Sequence, residues 1–276
     1  MISKVIDVCS YQGTIDWNKC KKAGVDGAIL KIIRKDLNPD TAFERNWKGC
    51  INAGIPVTGV YNYSYATTVA KAQKDARRVL EVLNGRKTVV WLDVEDNCQK
   101  GLGRGLIDII KNYKSIIEGA GLEFGVYTGL SFYNTYIKPY NDLHDVGFWI
   151  AKYGTNAQRD ISVKAGVAPT INRDLIAWQY GSRVVVNGVP TPCDCSEYYY
   201  NADPYYTVNT KPSTMPVDPS ICPFKRPNTN IFDEYSREDA KWLQWHLNKR
   251  GHNLVVDGII GKLTSEALVN EIEKLS

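Results

Sequence analysis

Histidine is almost missing from this 276-residue chain: His144, His246 and His252 are all it has, and two of them fall in the last fifth. A zinc site built on imidazoles is therefore unsupported, and Cys193-Asp-Cys195 has no second cysteine pair at ligand spacing. No metal and no other cofactor is expected. Seven cysteines, an odd number scattered along the chain, do not form the dense even framework of a small secreted scaffold, so reduced thiols are the expectation. No run of 18 apolar residues occurs, which argues against membrane insertion. Charge of one sign is also missing: 34 Lys and Arg against 30 Asp and Glu leave a net +4. Without a basic cluster interleaved with aromatics, nucleic acid is excluded as a partner, although mild basicity suits an anionic surface. Nor is there an apolar leader, because Lys4-Val-Ile-Asp7-Val-Cys9 enters a strand-like run at once. The implication is a signal trimmed away, or synthesis in the cytosol and release by other means. Nothing in the sequence speaks to oligomeric state.

The chain does carry the apolar content of ordinary globular protein, 43%, and enough length for one large domain and one small one. Up to residue 206, short β-branched runs alternate with helix-like stretches, the signature of a parallel α/β arrangement. Strands are expected at 5–8, 28–33, 57–63, 88–94, 124–128, 148–151, 175–179 and 189–196, and helices at 17–23, 42–53, 69–83 and 106–120. Eight strands in about 200 residues suit a barrel, irregular in its helix-poor second half. Residues 207–232 carry five spaced prolines and read as a semi-extended linker. Residues 233–276 read as a separate unit, net −2, with two helices, 237–249 and 263–275, flanking a glycine-rich loop. Ala240, Leu243, Trp245 and Leu247 give the first helix its apolar contacts, and Ser236 with Asp239 resembles a capping box.

The chemistry concentrates in Thr88-Val-Val-Trp91-Leu-Asp93-Val-Glu95. On a strand, Trp91, Asp93 and Glu95 share one face and Val90, Leu92 and Val94 the other. Two carboxylates spaced roughly 6 to 7 Å along a strand end raise each other's pKa, and a neighbouring Trp adds desolvation. One of them can then stay protonated near neutral pH, as a general acid for a glycosidic oxygen requires. In a closed sheet the first and last strands are neighbours, which would bring Asp7 and Asp194 to the same pair. Read blandly, Asp7 is a strand-end carboxylate and Asp194 a turn residue. Aromatics recur at strand ends: Tyr61 and Tyr63 on one face, then Tyr127, Trp149 and Trp178. Flat amphipathic rings of this kind are what sugars stack on.

These residues resemble glycoside hydrolase family 25, the muramidases of bacterial and phage lysins. The resemblance runs through Val-Ile-Asp7-Val-Cys9-Ser10-Tyr-Gln12-Gly13, Leu30-Lys31-Ile, Gly59-Val-Tyr61-Asn-Tyr63, Leu92-Asp93-Val-Glu95, Gly125-Val-Tyr127-Thr, Phe148-Trp149-Ile-Ala151-Lys-Tyr153, Ala177-Trp178-Gln179-Tyr180 and the Asp194 segment. It implies a flattened, irregular β/α barrel that hydrolyses the β-1,4 bond from N-acetylmuramic acid to N-acetylglucosamine in bacterial peptidoglycan, at the cell wall. Glu95 maps to the acid, Asp93 to a nucleophile or a carboxylate orienting the substrate's acetamido group, and Asp7 and Asp194 to flanking acids. Tyr61, Tyr63, Tyr127, Trp149, Tyr153 and Trp178 are the implied sugar contacts. Cys9 stands where the family usually has Ser, and Asn62 where it often has His, which could alter substrate contacts.

The second unit resembles the small helical peptidoglycan-binding domain of wall hydrolases, through Leu243-Gln244-Trp-His-Leu247-Asn248-Lys-Arg-Gly251 and Val256-Asp257-Gly258-Ile-Ile-Gly261. There Asp257, Gly258 and Gly261 are expected to shape a turn rather than touch ligand. Two rival readings stand beside the muramidase. One is a cysteine or metal-dependent peptidase or amidase acting on the wall's peptides, which would leave the acidic strand unexplained. The other is a non-catalytic glycan-binding barrel, against which stands the presence of all four acids.

Overall fold

The computed structural model describes residues 3–155, 157–163, 166–199, 237–252, 254–256, 258, 260 and 262–274. The chain divides into two compact units, Met1–Val208 and Asn209–Ser276. The expected linker, 207–232, and the Ser236 cap lie outside the described residues. Among the described residues no helix is long and apolar enough to cross a membrane.

The first unit is a closed barrel. Strands β1 (Ser3–Val8), β2 (Gly27–Lys31), β3 (Val57–Tyr63), β4 (Val90–Asp93), β5 (Phe124–Gly129) and β6 (Gly147–Ala151) pair in parallel in chain order. A two-residue β7 (Arg159–Asp160) lies on the last residues of β8 (Leu175–Val185), and β8 itself pairs in parallel with β6. Antiparallel pairing of β9 (Cys193–Tyr198) with both β8 and β1 completes the ring. The eight expected strands are thus the eight barrel strands, with one displaced: the last begins at Cys193 rather than 189. Pro190 and Pro192 cannot donate to a ladder, and Gly188, at φ +105°, makes a tight turn whose carbonyl accepts from Asp16 N at 2.8 Å.

Helices α1 (Trp17–Lys22), α2 (Phe43–Asn52), α3 (Val69–Leu83) and α4 (Arg104–Gly119) follow the first four strands. In α3, buried Ala72, Ala76, Val79 and Leu83 recur at helical spacing, the Thr68 side chain caps Lys71 N, and Asn84 closes the helix in the left-handed region at φ 48°. Among the described residues of this unit, β5 is followed by one short turn of helix, α5 (Leu130–Phe132), running into a π-helical turn at Tyr133–Ile137, in keeping with a helix-poor second half.

Alternation divides the side chains. Ile6, Leu30, Val60, Leu92, Val126, Phe148 and Trp178 point outward into the layer beneath the helices, while Val5, Ile29, Trp91, Tyr127, Trp149, Ala177 and Tyr198 fill the barrel. Trp91 fits because its flanking strands carry glycine: a Cβ on Gly125 would lie 2.2 Å from Trp91 Cζ3, and one on Gly59 2.7 Å from Trp91 Cδ1. The indole therefore plugs the barrel below Asp93, its neighbour two residues on.

The second unit contains α6 (Arg237–Lys249) and α7 (Lys262–Glu273). Leu243, Leu247 and Ala267 form its core, with Trp242, Leu254, Ile260 and Leu268 packed on them. Trp245, another of the expected apolar contacts of α6, meets the His246 ring edge-on and lies beneath Lys249 Nζ. The loop is pinned by side-chain amides: buried Gln244 donates to Thr264 Oγ1 and accepts from Gly258 N, and half-buried Asn248 pairs with both backbone groups of Leu254. Gly258 adopts φ +78°, as its expected turn role demands, whereas Asp257 and Gly261 lie outside the described residues.

Candidate active site

Parallel strands present their C-terminal ends at one rim of a barrel. Asp7 on β1, Lys31 on β2, Tyr61 and Tyr63 on β3, Asp93 on β4, Tyr127 on β5, Trp149 on β6 and Gln179 on β8 line one cleft there, together with Glu95 just beyond β4. Asp194 joins them because β9 runs the opposite way, so that a residue near its start reaches the same rim; it pairs directly across from Asp7. Four acids are thereby brought together. Glu95 is held at the rim although β4 has ended: Val94 N donates to Tyr127 O at 2.9 Å, and Thr128 Oγ1 donates to Val94 O at 2.6 Å.

Burial raises the pKa of all four. It is the largest cause for Asp93, followed by the repulsion of Glu95, while Lys31 pulls the other way. For Glu95 burial is again first, followed by Asp96. The repulsion expected between Asp93 and Glu95 is present, and Asp96 is a further charge beside Glu95. Asp96 keeps its charge because the backbone N–H of Cys98 and the Tyr63 hydroxyl donate to it. Asp7 lies well above the usual carboxylate range through burial and then Asp194, and Asp194 is pushed up to about 6, chiefly by burial. Asp7 and Asp194 are cross-strand partners, both buried, and a proton shared between them spares the site two adjacent charges. Asp93 Oδ1 is buried with no hydrogen-bond partner, a costly state for a carboxylate oxygen unless a ligand supplies a donor.

The aromatic expectations divide. Tyr61, Tyr63, Tyr127 and Trp149 line the cleft, with Lys31 Nζ 5.8 Å from the centroids of both Tyr61 and Tyr63. Trp149 is fixed by its Nε1 donating to Ser196 Oγ at 2.9 Å. Tyr153 does not line the cleft but reaches it through Gln179, donating to Oε1 at 2.5 Å. Trp178 is a correction: it belongs to the outer layer, where its Nε1 donates to Lys152 O. Neighbours on a strand face opposite ways, so if Gln179 faces inward Trp178 cannot. Asn62 likewise faces outward, its amide 3.4 Å from the Tyr113 hydroxyl on α4, so it does not contact the cleft. The Cys9 thiol caps the turn that follows β1, accepting from Tyr11 N, and burial pushes its pKa up.

Gln179, Lys31 and Asp96 are the residues that sequence reasoning passed over. A glutamine inside the apolar run Leu175-Ile-Ala-Trp-Gln-Tyr180 was the available signal, since an amide on a barrel strand needs partners. Among the described residues, no group of three or more His, Cys, Asp or Glu side chains is arranged to hold a metal ion.

Comparison with known proteins agrees with this geometry. The chain is 25% identical to the autolytic lysozyme of Clostridium acetobutylicum over 275 residues, 96% of this chain and 71% of that protein. It is 27% identical to lysozyme M1 of Streptomyces globisporus over 207 residues, 70% of this chain and 66% of that one. The crystal structure of a lysozyme from Streptomyces coelicolor superposes with a TM-score of 0.61 at 24% identity, covering 72% of this chain and 92% of the other. The glycosyl hydrolases family 25 model matches residues 6–189, nearly the whole barrel, and this chain belongs to that family.

Proposed function

We propose that the chain is a muramidase that hydrolyses the β-1,4 bond between N-acetylmuramic acid and N-acetylglucosamine in bacterial peptidoglycan, with Glu95 as the proton donor. The observation that carries this reading is the convergence of Asp7, Asp93, Glu95 and Asp194 on one cleft walled by Tyr61, Tyr63, Tyr127 and Trp149. Burial and Asp96 raise the Glu95 pKa, the direction that a donor of a proton to the leaving oxygen needs. An oxocarbenium-like centre then develops at the anomeric carbon. Asp93 meets it by direct attack or by orienting the substrate's acetamido group. The second route is favoured by the unpartnered Asp93 Oδ1, an acceptor suited to an acetamido N–H. Positive charge on the substrate and the Lys31 ammonium both favour ionised Asp93 at that moment. The negative Asp7–Asp194 pair adds stabilisation from β1 and β9 at the same rim.

The α6–α7 unit, in this reading, holds the enzyme at the wall, and tethering it to the barrel raises the local concentration of glycan. Mass spectrometry of the products of a purified wall digest tests the assignment. Saccharides with N-acetylmuramic acid at the new reducing end are expected. Products with N-acetylglucosamine there, or new free amines without new reducing ends, would overturn it.

A further inference from the structure

Gln179 is 1% exposed, and every hydrogen bond of its side chain goes to a residue in or beside the cleft. Its Nε2 lies 3.0 and 3.2 Å from the two Asp7 carboxylate oxygens, and its Oε1 accepts from Tyr127 Oη at 2.8 Å and from Tyr153 Oη at 2.5 Å. A side-chain amide in isolation can be turned end for end; this one is fixed. Both phenols keep their protons because burial pushes their pKa up, and two donors on Oε1 use both of its lone pairs. Turning the amide would set its oxygen against a carboxylate.

We propose that Gln179 is a positioning residue: clamped by two phenols, it directs N–H donors at Asp7, confines the proton of the Asp7–Asp194 pair to the contact between the two acids, and so keeps one negative charge on the pair. The catalytic relevance of that charge rests on the muramidase reading; the clamp itself does not. The other groups facing Asp7 are Asp194 on β9, Tyr61 on β3, Asp93 on β4, Tyr127 on β5 and Tyr153 beyond β6, while Cys193 and Cys195 lie on the outer face of β9. Those facing it are acids or phenols, whose charges would oppose that of Asp7, and Lys31 shares the cleft. Gln179 is the side chain whose hydrogen bond favours ionised Asp7. Without it, the pair takes up a second proton at higher pH and becomes neutral.

The test is a carbon-13 NMR titration of the aspartate carboxyls in the full-length protein, with wild type compared against Gln179→Leu and Tyr153→Phe. Gln179→Leu removes the donor, and the titration of the Asp7–Asp194 pair is expected to move up by roughly one pH unit, the effect of a hydrogen bond to a charged group. Tyr153→Phe removes one jaw of the clamp at a partly exposed site that the fold tolerates, and a smaller shift of the same sign is expected. The acid limb of kcat against pH follows the titration. Unmoved titration in a folded Tyr153→Phe and Gln179→Leu, or a loss of kcat equal at every pH with the acid limb in place, would overturn the proposal. If wild type released no reducing sugar, the muramidase reading would fall while the titration still judged the clamp.

Discussion

Replacing Gly125 with alanine adds one methyl group inside the barrel, and the structure gives it no room. That Cβ would sit 2.2 Å from Trp91 Cζ3, 2.6 Å from Cε3 and 2.9 Å from Cη2, whereas ordinary carbon contacts need about 3.5 Å. The indole cannot slide away, because Gly59 approaches its other edge and Trp149 and Tyr198 meet it edge-on, with centroids at 5.7 and 6.2 Å. Overpacking of this kind costs about 3 kcal/mol, the upper end of the usual range. For a barrel of this size that lowers the thermal midpoint by about 6–12 °C. Because Trp91 lies two residues before Asp93 on the same face, any tilt it relieves is passed to the acids, and misplacement by about 1 Å costs on the order of a hundredfold in rate. Scanning calorimetry and a turbidity assay read the two effects. The clashing atoms all belong to the benzo ring, so Trp91→Phe in the same chain removes the obstruction. The double variant should be less destabilised than the sum of the single changes by at least about 1 kcal/mol. A Gly125→Ala protein that melts within about a degree of wild type, or strict additivity in the double variant, would refute the view that Trp91 wedges the barrel floor beneath the acids.

Two further expectations follow from the site. Asp194 is held at about 6 against an ordinary 3.8; a raised carboxyl favours the fold below its unfolded pKa, and that contribution is lost as pH rises through 6. Asp194→Asn should therefore raise the thermal midpoint more at pH 7 than at pH 4, while lowering activity; an equal gain at both would contradict the assignment. Trp149→Phe loses the Ser196 hydrogen bond at the cleft wall and should raise KM, whereas Trp178→Phe, in the outer layer, should lower the midpoint and leave KM unchanged. Equal KM effects from the two would show that inward and outward faces have been misassigned.

Much of this barrel was legible because β-branched runs bounded by glycine, asparagine and proline coincide with the strands, and because helices such as α3 repeat apolar residues at helical spacing. Strand direction leaves no mark on alternation, so the antiparallel β9 that carries Asp194 to the rim could not be read. Its start was obscured by Val186 and Val189, β-branched residues that fall in a turn held by Gly188. The end of β8 was hidden as well: Gly181-Ser182 looks like a break, yet the strand continues through irregular register to Val185. At the site, the acids were legible because two carboxylates at alternate strand positions must share a face. Trp178 misled because aromatic character was weighed above facing; the inward residue is the adjacent Gln179, whose value lies in what it holds. That Asp96 also acts on Glu95 follows from the chain leaving the strand after Asp93, beyond the reach of an alternation argument.

The most direct measurement is the clearing rate of a purified peptidoglycan suspension by wild type and by Glu95→Gln, an exchange that keeps size and polarity and removes the transferable proton. A general acid contributes on the order of a hundredfold to ten-thousandfold, so a folded Glu95→Gln protein should clear at least about a hundredfold more slowly. Clearing by that variant at the wild-type rate would mean that the proton comes from elsewhere, and the reading of the four-acid cleft would fail.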